Sequence, residues 1–482
     1  MSSLAAIGIG FLAAAQWALL AYFAALSLLY LALNVLAFRA VRGTAIGDGP
    51  AMTRHPYSGL EPPVSLLLPA FDVELSIAAS VRSLLQLVYS EFELIVISDG
   101  SHDGTLAAMT DAFDLQPTPY SLSGAIPTAL VRSVYTSRQF PNLRLIDKEN
   151  GGHADALNAG INAARYPLFC AVAVDSIFER DSLRRLVRPF QEDPHMIAAG
   201  GTVRPINGCR VSDGFLESVA LPHKVLPLIQ IVETLHAFVF SSMGLSSLNA
   251  VLILAGAFGV FRRASVIDAG GYRHSSHGTI GADMELVMRL HRLHRSARRP
   301  YRIALVPDSI CWTDAAEDLR TLRTRWQHDL LDSLWLNRGL LFHRHGGAAG
   351  WLALPALLLF EALAPVVEVG GYLVFAIGWA TGAIDGTALI VFALLASSVG
   401  LLLSANGLLL EQLLLHAYPR ATDLAKLIGA ALLENFGYRQ LTVLWRLQGT
   451  WRWLRGKFGH WGVVKRPAGW QGGGDPRDRA AP

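Results

Sequence analysis

The feature that most constrains the fold of this chain is the long segment Leu4–Phe38, which contains no charged residue. As one α-helix it is longer than the roughly 30 Å hydrocarbon core of a bilayer requires. It is too short for two spans with a turn between them, so it predicts a single tilted transmembrane helix. Arg39 and Arg42 follow at once, and by the positive-inside tendency they place the next segment in the cytoplasm.

The composition fits a membrane part joined to a soluble part. Charged residues make up 16% of the chain, against roughly 25% in an average soluble protein, and apolar residues make up 52%. A net charge of +3 is too small to indicate nucleic-acid binding. The three cysteines, Cys170, Cys209 and Cys311, show no metal-site spacing and no disulfide framework, which fits a reducing compartment.

The region from Pro62 to Arg344 alternates short apolar runs with helical patterns, which is typical of an α/β fold built from βαβ units. The predicted strands are Val64–Leu68, Glu93–Ser98, Leu143–Ile146 and Leu168–Val174, and the predicted helices include Ser76–Leu87 and Ala154–Arg165. Asp72, Asp99 and Asp175 each lie just beyond the end of a predicted strand. Because open parallel sheets bind ligands at the carboxyl ends of their strands, these three carboxylates predict a common site.

Beyond His345 the chain becomes apolar again. Gly346–Ile384 has room for an interfacial helix and one span, and Thr387–Leu410 predicts a further span. Leu424–Arg455 is amphipathic and rich in tryptophan and arginine, as in a helix that lies among lipid headgroups. Leu226–Leu254 is apolar but interrupted by polar residues, so it fits either helices at the membrane surface or the buried core of the soluble part.

Seven short motifs follow one another in the middle region. They are PAFDVE (Pro69–Glu74), ISDGSHDGT (Ile97–Thr105), KENGGHADALNAGINAA (Lys148–Ala164), VAVDSIFE (Val172–Glu179), GAFGVFRR (Gly256–Arg263), GADMELVMRLHR (Gly281–Arg292) and RTRWQHDLL (Arg323–Leu331). Together they resemble the processive family 2 glycosyltransferases, namely the cellulose, hyaluronan and poly-N-acetylglucosamine synthases and their bacterial relatives. The resemblance covers roughly Pro62–Asn337.

This resemblance implies an α/β GT-A domain, a Rossmann-like nucleotide-diphospho-sugar transferase fold, inserted between transmembrane helices. It also implies a multi-pass protein of the plasma (bacterial inner) membrane with a cytoplasmic catalytic domain. The expected divisions are residues 1–43 (N-terminal transmembrane helix), 62–344 (GT-A domain), 345–415 (transmembrane and interfacial helices), 416–466 (amphipathic basic region) and 467–482 (disordered tail).

The reaction implied is transfer of a sugar, with inversion, from a nucleotide-sugar donor to a growing polysaccharide. The resemblance favours a UDP-sugar as the donor and Mg²⁺ or Mn²⁺ as the cofactor. Such a transfer needs a cation to offset charge on the departing diphosphate and a carboxylate to take the proton of the acceptor hydroxyl. It also needs hydrogen-bond donors where charge develops.

The resemblance assigns roles to individual residues. Asp99 would contact the uridine or ribose, Asp175 would bind the metal ion, and Asp283 would act as the general base. Arg325 would hold the diphosphate and Trp326 would stack on the acceptor sugar. The remaining residues expected to bind the nucleotide-sugar are Pro69, Ala70, Phe71, Asp72, Glu74, His153 and Asp155.

The chain departs from the family pattern at polar positions. Ala173 replaces the first acid of the Asp-x-Asp pair, Ala282 replaces the Glu before the catalytic Asp, and Leu322 replaces the Gln of Gln-x-x-Arg-Trp. His153 stands where relatives have Lys, and Asp72 where relatives often have Asn. Each change removes or alters a contact, and loss of one transition-state contact typically costs about 10²–10³ in rate.

Two alternatives to an active polysaccharide synthase therefore stay open. One is a degenerate glycosyltransferase that binds a nucleotide, a glycan or a partner synthase without efficient turnover. The other is a non-processive enzyme with a lipid-linked acceptor. The expected partners besides donor and acceptor are the lipid bilayer and, because few spans are predicted, a second copy of the chain or a partner subunit.

Overall fold

In the computed structural model of the chain, the described residues are 3–47, 59, 61–120, 122–212, 215–234, 241–273, 281–313, 318–382, 386, 387, 390 and 420–456. They form two compact units. A helical unit takes its described residues from Met1–Thr53, Lys224–Ala250 and Asp318–Lys457, and a sheet unit takes them from Arg54–His223 and Val251–Glu317. The domain boundaries expected from the sequence stay predictions.

The sheet unit contains a ten-stranded sheet and a small two-stranded one within the part of the chain that is described. The strands are β1 (Val64–Ala70), β2 (Phe92–Asp99), β3 (Leu115–Pro117), β4 (Val131–Ser137), β5 (Leu143–Lys148), β6 (Leu168–Val172), β7 (Ser176–Phe178), β8 (Met196–Pro205), β9 (Arg210–Ser212), β10 (Phe215–Ser218), β11 (Phe258–Arg262) and β12 (Arg302–Thr313). The large sheet has the order β3-β4-β5-β2-β1-β6-β11-β8-β12-β7, and β9 pairs with β10.

The helices of both units complete the description. They are α1 (Ser3–Gly47), α2 (Ile77–Leu85), α3 (Thr105–Phe113), α4 (His153–Ala163), α5 (Ser182–Glu192), α6 (Val225–Thr234), α7 (Ser241–Ser247), α8 (Arg263–Asp268), α9 (Ala282–Ser296), α10 (Leu319–Leu336), α11 (Leu354–Leu357), α12 (Ala364–Ala380), α13 (Ala421–Leu433) and α14 (Arg439–Leu454). Arg338–Leu340 is a 3₁₀ helix, and Ala349–Ala353, Leu358–Ala362 and Glu434–Tyr438 are π-helical.

The central strands are parallel and apolar. β1 pairs in parallel with β2 on one side and with β6 on the other, and β5 continues the sheet beyond β2. Their residues are almost all buried, as expected for strands covered on both faces. The four strands predicted from the sequence are confirmed with small changes at their ends, as are the two helices, α2 and α4.

The sheet as a whole is mixed, so the parallel βαβ pattern predicted from the sequence holds for its central strands and not for every strand. β4 runs antiparallel to β5, β11 runs antiparallel to β6 and β8, and β7 runs antiparallel to β12. The register of Phe258 with Val172 shows that β11 begins at the edge where β6 ends. Strand β11 therefore runs away from that edge, in the direction opposite to β6. The pattern of apolar residues within a strand does not indicate the direction of that strand in the sheet.

A buried ion pair joins β2 and β5 near the amino ends of the two strands. Glu93 on β2 and Arg144 on β5 form a salt bridge, and both side chains are almost fully buried. Glu93 also accepts hydrogen bonds from the Ser65 hydroxyl at 2.6 Å and from the Arg165 main-chain nitrogen at 2.7 Å. Arg144 donates to the carbonyl of Ala163 at 3.0 Å. Four segments of the chain are therefore held together by one carboxylate and one guanidinium.

In the helical unit, α1 contains the segment Leu12–Arg39, which has a mean hydropathy of 2.1 and is long and apolar enough to cross a membrane. Only 6% of its most apolar window is buried against the rest of the protein. The predicted N-terminal span is consistent with this helix. Tyr22 donates a hydrogen bond to the carbonyl of Leu359 at 3.0 Å, which links α1 to the C-terminal part of the unit.

The described residues support fewer spans than the sequence predicted. The segments Ala349–Ala362 and Ala364–Ala380 pass the test for a span only as a pair, and they are bent by 46° at Leu363. The structure therefore supports one spanning helix, or two if the bent pair counts as one. The predicted span Thr387–Leu410 lies almost entirely outside the described residues, so the multi-pass arrangement has no support from them.

Replacement of Glu93 by Ala should lower the free energy of unfolding by about 3–5 kcal/mol, because Arg144 would stay buried without a counter-ion. The measurement is chemical denaturation of the purified full-length chain in detergent. Glu192→Ala is the matched control, since Glu192 pairs with Arg188 on the exposed face of α5 and such pairs contribute about 0–1 kcal/mol. Equal losses in the two variants would contradict a stabilising role for the buried pair.

Candidate active site

Four of the predicted carboxylates lie at one edge of the large sheet. Asp72 and Asp99 lie at the carboxyl ends of β1 and β2, which are adjacent and in register, and Asp175 follows the end of the neighbouring strand β6. Asp283, in the first turn of α9, lies against Gly256, just before the start of β11 at the same edge. The sheet order thus brings together residues far apart in sequence.

Asp99 is the centre of a buried hydrogen-bond network. Its Oδ1 lies 2.5 Å from Nζ of Lys148 and accepts from the main-chain nitrogen of Gly151 at 3.0 Å. Its Oδ2 accepts from the main-chain nitrogen of Gly152 at 2.8 Å. The Asn150 side chain donates to the Asp99 carbonyl at 2.9 Å. Asp99 therefore fixes the loop that leads into α4.

Lys148 connects Asp99 to Asp155, a residue expected in the nucleotide-sugar site. Nζ of Lys148 lies 2.7 Å from Oδ1 of Asp155, and the lysine side chain has no exposed surface. Asp155 also accepts from the main-chain nitrogen of Ala129 at 3.0 and 3.1 Å. One ammonium group therefore lies between two buried carboxylates. Sequence reasoning did not single out Lys148, although it opens the KENGGHADALN motif.

Asp72 and Glu74 join the loop after β1 to the loop after β2. Asp72 has a φ of 50°, and its carboxylate accepts from the main-chain nitrogen of His102 at 2.7 Å. Glu74 accepts from the nitrogen of Gly104 at 3.1 Å, and its own nitrogen donates to Asp103 at 3.0 Å. These hydrogen bonds in both directions fix the two loops relative to each other.

The other expected nucleotide-pocket residues of β1 lie at the same edge. Pro69 and Ala70 pair with Ile97 and Ser98 of β2. Phe71 follows and meets the His102 ring edge-to-face, with 5.9 Å between ring centroids.

His153, at the start of α4, differs electrostatically from the lysine of the related proteins. Removal from solvent lowers the pKa of His153 to about 4, and the nearby Asp99 carboxylate only partly opposes this effect. The imidazole is therefore neutral near pH 7. It can donate or accept a hydrogen bond, but it supplies no positive charge.

Asp175 is the one predicted metal ligand. Its Oδ2 accepts a hydrogen bond from the Thr313 hydroxyl at 3.2 Å. Among the described residues, no group of three or more His, Cys, Asp or Glu side chains could hold a metal ion. A single carboxylate nevertheless fits Mg²⁺ when phosphate oxygens and water supply the remaining ligands.

Asp283, the residue predicted to be the general base, is buried and has a raised pKa. Its side chain is 5% exposed, and burial raises its pKa to about 6, while the hydroxyl of Tyr272, which donates to Oδ1 at 3.0 Å, opposes this rise. A carboxylate with a pKa near 6 is ionised at pH 7 and takes up a proton more readily than an exposed one. Tyr272 was not identified from the sequence, because its contact with Asp283 depends on the tertiary fold.

Arg325 and Trp326 lie on α10 and belong to the helical unit. The guanidinium of Arg446, on α14, lies over the Trp326 ring at 5.3 Å from its centroid. Arg446 donates to Gln327 Oε1 at 2.9 Å and forms a salt bridge with Glu361 at 3.1 Å. The amphipathic C-terminal helix therefore packs directly on the helix that carries the Arg-Trp motif.

Two family profiles match this chain. Residues 65–266 match a family profile described as Glycosyl transferase family 2. Residues 174–406 match a second profile described as Glycosyl transferase family group 2.

Curated relatives include the poly-beta-1,6-N-acetyl-D-glucosamine synthase of Staphylococcus aureus strain COL, which is 25% identical over 267 residues. The protein of the same name from Staphylococcus epidermidis is 23% identical over 267 residues. Each alignment covers 55% of this chain and 53% of the relative, so the chain spans about half the length of the curated relatives it matches.

Among solved structures, a mannosyltransferase from Pyrobaculum calidifontis in complex with GDP-Man and Mn²⁺ is similar to this chain with a TM-score of 0.50 and 18% identity. The similarity covers 92% of this chain and 99% of that one. At this identity the likeness concerns the fold, which is GT-A-like.

Replacement of Lys148 by Met should lower the free energy of unfolding by about 3–5 kcal/mol, because Asp99 and Asp155 would face each other without a cation. Denaturant titration of the full-length chain measures this effect. Lys426→Met is the matched control, since Lys426 is half-exposed and lies 3.9 Å from Asp423. A loss no larger than that of the control would show that the two carboxylates do not need the lysine.

Proposed function

We propose that this chain, which matches family 2 glycosyltransferase profiles over residues 65–266 and 174–406, transfers a sugar from a nucleoside-diphosphate-sugar donor to a growing polysaccharide, with inversion at the sugar carbon. The observation that carries this proposal is the position of Asp283. It is a buried carboxylate with a raised pKa at the sheet edge where Asp72, Asp99 and Asp175 also lie. This edge is where an open sheet of parallel strands binds its ligand.

The chemical step is a direct displacement at the anomeric carbon of the donor sugar. The acceptor hydroxyl oxygen forms a bond to that carbon, and the bond from the carbon to the diphosphate oxygen breaks with its electron pair on the diphosphate. Attack opposite the leaving group inverts the configuration. The hydroxyl proton passes to the carboxylate of Asp283, which is ionised at neutral pH because its pKa is about 6.

The loops after β1 and β2 and the start of α4 form the donor site in this proposal. A carboxylate has about four acceptor positions, and Lys148, Gly151 and Gly152 occupy three of those of Asp99. The remaining acceptor position, on Oδ2 of Asp99, can accept a hydrogen bond from an N–H or O–H group of the base or ribose. Asp99 would thus order its loop and contact the nucleotide.

A divalent cation fits this site as part of the donor complex. Mg²⁺ is commonly bound by one or two carboxylates together with substrate phosphates, so Asp175 would be its protein ligand. When bound, the cation would offset negative charge on the departing diphosphate. The Thr313 hydroxyl would fix the orientation of the Asp175 carboxylate.

Two observations support a polymeric acceptor: the motif residue Trp326 on α10, and the names of the curated relatives, which are synthases of a polysaccharide. Trp326 presents an aromatic ring on the helix of the Arg-Trp motif, and aromatic rings are suited to stacking on apolar sugar faces. Helix α1 would anchor the enzyme in the plasma membrane with the catalytic domain in the cytoplasm.

Ala173, the neutral His153 and the single carboxylate Asp175 favour a second candidate, a protein that binds nucleotide without turnover. Calorimetric titration with UDP and Mn²⁺, followed by a UDP-release assay on a panel of UDP-sugars, separates the two. Metal-dependent binding with UDP release supports the synthase. Binding without release from any donor supports the second candidate, and the size of the product distinguishes a polymer from a sugar-lipid.

Replacement of Asp283 by Asn should reduce the rate of UDP release at least about 10²-fold, because the acceptor proton loses its base. Affinity for UDP should stay within about twofold, since Asp283 is assigned to the acceptor side of the reaction. Calorimetry and steady-state kinetics on the same preparation measure both quantities. Retention of more than a tenth of the wild-type rate would exclude Asp283 as the base.

The pH dependence of turnover follows from the pKa of Asp283. The base works only when it is ionised, so kcat should be constant above about pH 7 and fall about tenfold per pH unit below pH 6. His153, with its pKa of about 4, should not contribute between pH 5 and 8. A rate that does not change between pH 5 and 8 would contradict the assignment.

A further inference from the structure

The Asp283 carboxylate has two neighbours, Tyr272 and Gly256, to which the proposed chemistry assigns no role. Its Oδ1 accepts a hydrogen bond from the hydroxyl of Tyr272 at 3.0 Å. Its Oδ2 lies where a side chain at Gly256 would be, because a Cβ built on that glycine would be only 2.2 Å from Oδ2. One oxygen of the carboxylate is therefore bound by a phenol, and the other faces the space that the glycine leaves.

Tyr272 has a fixed position and is not accessible to a substrate. It is 1% exposed, and its ring packs edge-to-face against Phe169 of β6, with 6.4 Å between centroids. Its main chain is held by Asn158 of α4. The Tyr272 nitrogen donates to Oδ1 of Asn158 at 2.7 Å, and the Asn158 amide donates to the Tyr272 carbonyl at 2.8 Å.

The turn before Tyr272 is fixed in the same way. The guanidinium of Arg289 donates to the carbonyls of Ala269 and Gly271 at 2.6 and 2.7 Å. Gly271 has a φ of 73°, and a Cβ there would be 2.5 Å from Oδ1 of Asn158, so the turn requires glycine at this position. The phenol therefore belongs to a rigid support built from α4 and α9.

We propose that Tyr272 is a positioning residue for the general base, which orients the Asp283 carboxylate so that Oδ2, on the Gly256 side, receives the acceptor proton. This inference rests on the proposed function. The hydroxyl proton of the acceptor moves to Oδ2, and the Tyr272 hydroxyl remains a donor to Oδ1 throughout. Tyr272 itself loses no proton, because burial and the neighbouring Asp283 raise the pKa of its phenol well above the usual value.

The electrostatic surroundings agree with this division of roles. Among the described residues, the ionisable groups that interact with the Asp283 carboxylate are Tyr272 and the thiol of Cys170 on β6. Burial raises the pKa of both, so both are neutral at pH 7. On α9, Glu285 and Arg289 form a salt bridge with each other at 2.9 Å. The Tyr272 hydroxyl is thus the group that stabilises the ionised form of Asp283 by a side-chain hydrogen bond and opposes the effect of burial.

The decisive variant is Tyr272→Phe, which removes the hydroxyl and keeps the ring. The pKa of Asp283 should rise by about one unit or more, because a hydrogen bond to the charged form is lost. The acidic limb of the kcat profile should therefore move to higher pH, with KM for the donor unchanged. Tyr301→Phe is the matched control, since Tyr301 is a buried tyrosine bonded to His291 and Arg295, and its profile should keep the wild-type midpoint.

A measurement without turnover tests the same inference. The pKa of Asp283 in the folded protein is higher than in the unfolded chain, so ionisation of Asp283 costs stability as pH rises through about 6. Loss of the Tyr272 bond increases this cost above that pH and not below it. The decrease in Tm caused by Tyr272→Phe should therefore be larger at pH 8 than at pH 5.

Gly256→Ala tests the role of Oδ2. The added methyl group would displace the carboxylate from its position, and we expect kcat to fall about 10²-fold with donor affinity retained. Gly429→Ala is the control, since a Cβ at Gly429 meets no atom within 4 Å.

The outcomes separate this inference from the proposed function. An unshifted acidic limb in Tyr272→Phe, or an equal decrease in Tm at both pH values, overturns the role of Tyr272 even if the enzyme is active. If the wild-type chain releases no UDP from any donor, the proposed function fails, and the pH dependence of Tm still decides whether Tyr272 holds the carboxylate.

Discussion

The candidate site depends on the ammonium group of Lys148, which lies between the carboxylates of Asp99 and Asp155 without contact with solvent. Two buried carboxylates close to one cation cannot both stay ionised at low cost if that cation is removed. The cation allows Asp99 to point its second oxygen at the main chain of Gly152. The conformation of the loop before α4 and its position at the carboxyl end of β2 both follow from this arrangement.

The rest of the proposed site also contains few charged side chains. In the proposed site, the described residues would offer one carboxylate to a cation, a neutral imidazole at His153, and a buried carboxylate with a raised pKa at Asp283. In the proposed reaction, the positive charge opposite the diphosphate would therefore come mainly from the cation.

The sequence predicted the parts of the fold that depend on local patterns. β1, β2, β5 and β6 are apolar runs bounded by turn residues, and their ends place Asp72, Asp99 and Asp175 at one edge. The mixed direction of the sheet was not predictable, because β11 returns from that edge after a long intervening segment.

The contacts that tune the site are also non-local. The bond between Tyr272 and Asp283 and the one between Asp72 and His102 join loops whose proximity only the folded sheet creates. An alternation of apolar and polar residues carries no information on such pairs. The role of Gly256 is equally hard to predict from the sequence, because this glycine matters through the space that it leaves for the Asp283 carboxylate.

The arrangement of the helical unit bears on how the protein is made. Helix α1 is synthesised before the sheet unit, yet its neighbours α7 and α12 follow much later in the sequence. Helix α10 likewise precedes its partner α14, whose Trp445 carbonyl accepts a hydrogen bond from Thr324. In the sequence, the sheet unit lies between these segments, so it can fold while the helical unit is still incomplete. A ribosome that stalls before α14 would therefore leave in the cell a chain with a folded sheet unit and an incomplete helical unit, an intermediate that quality-control proteases should recognise.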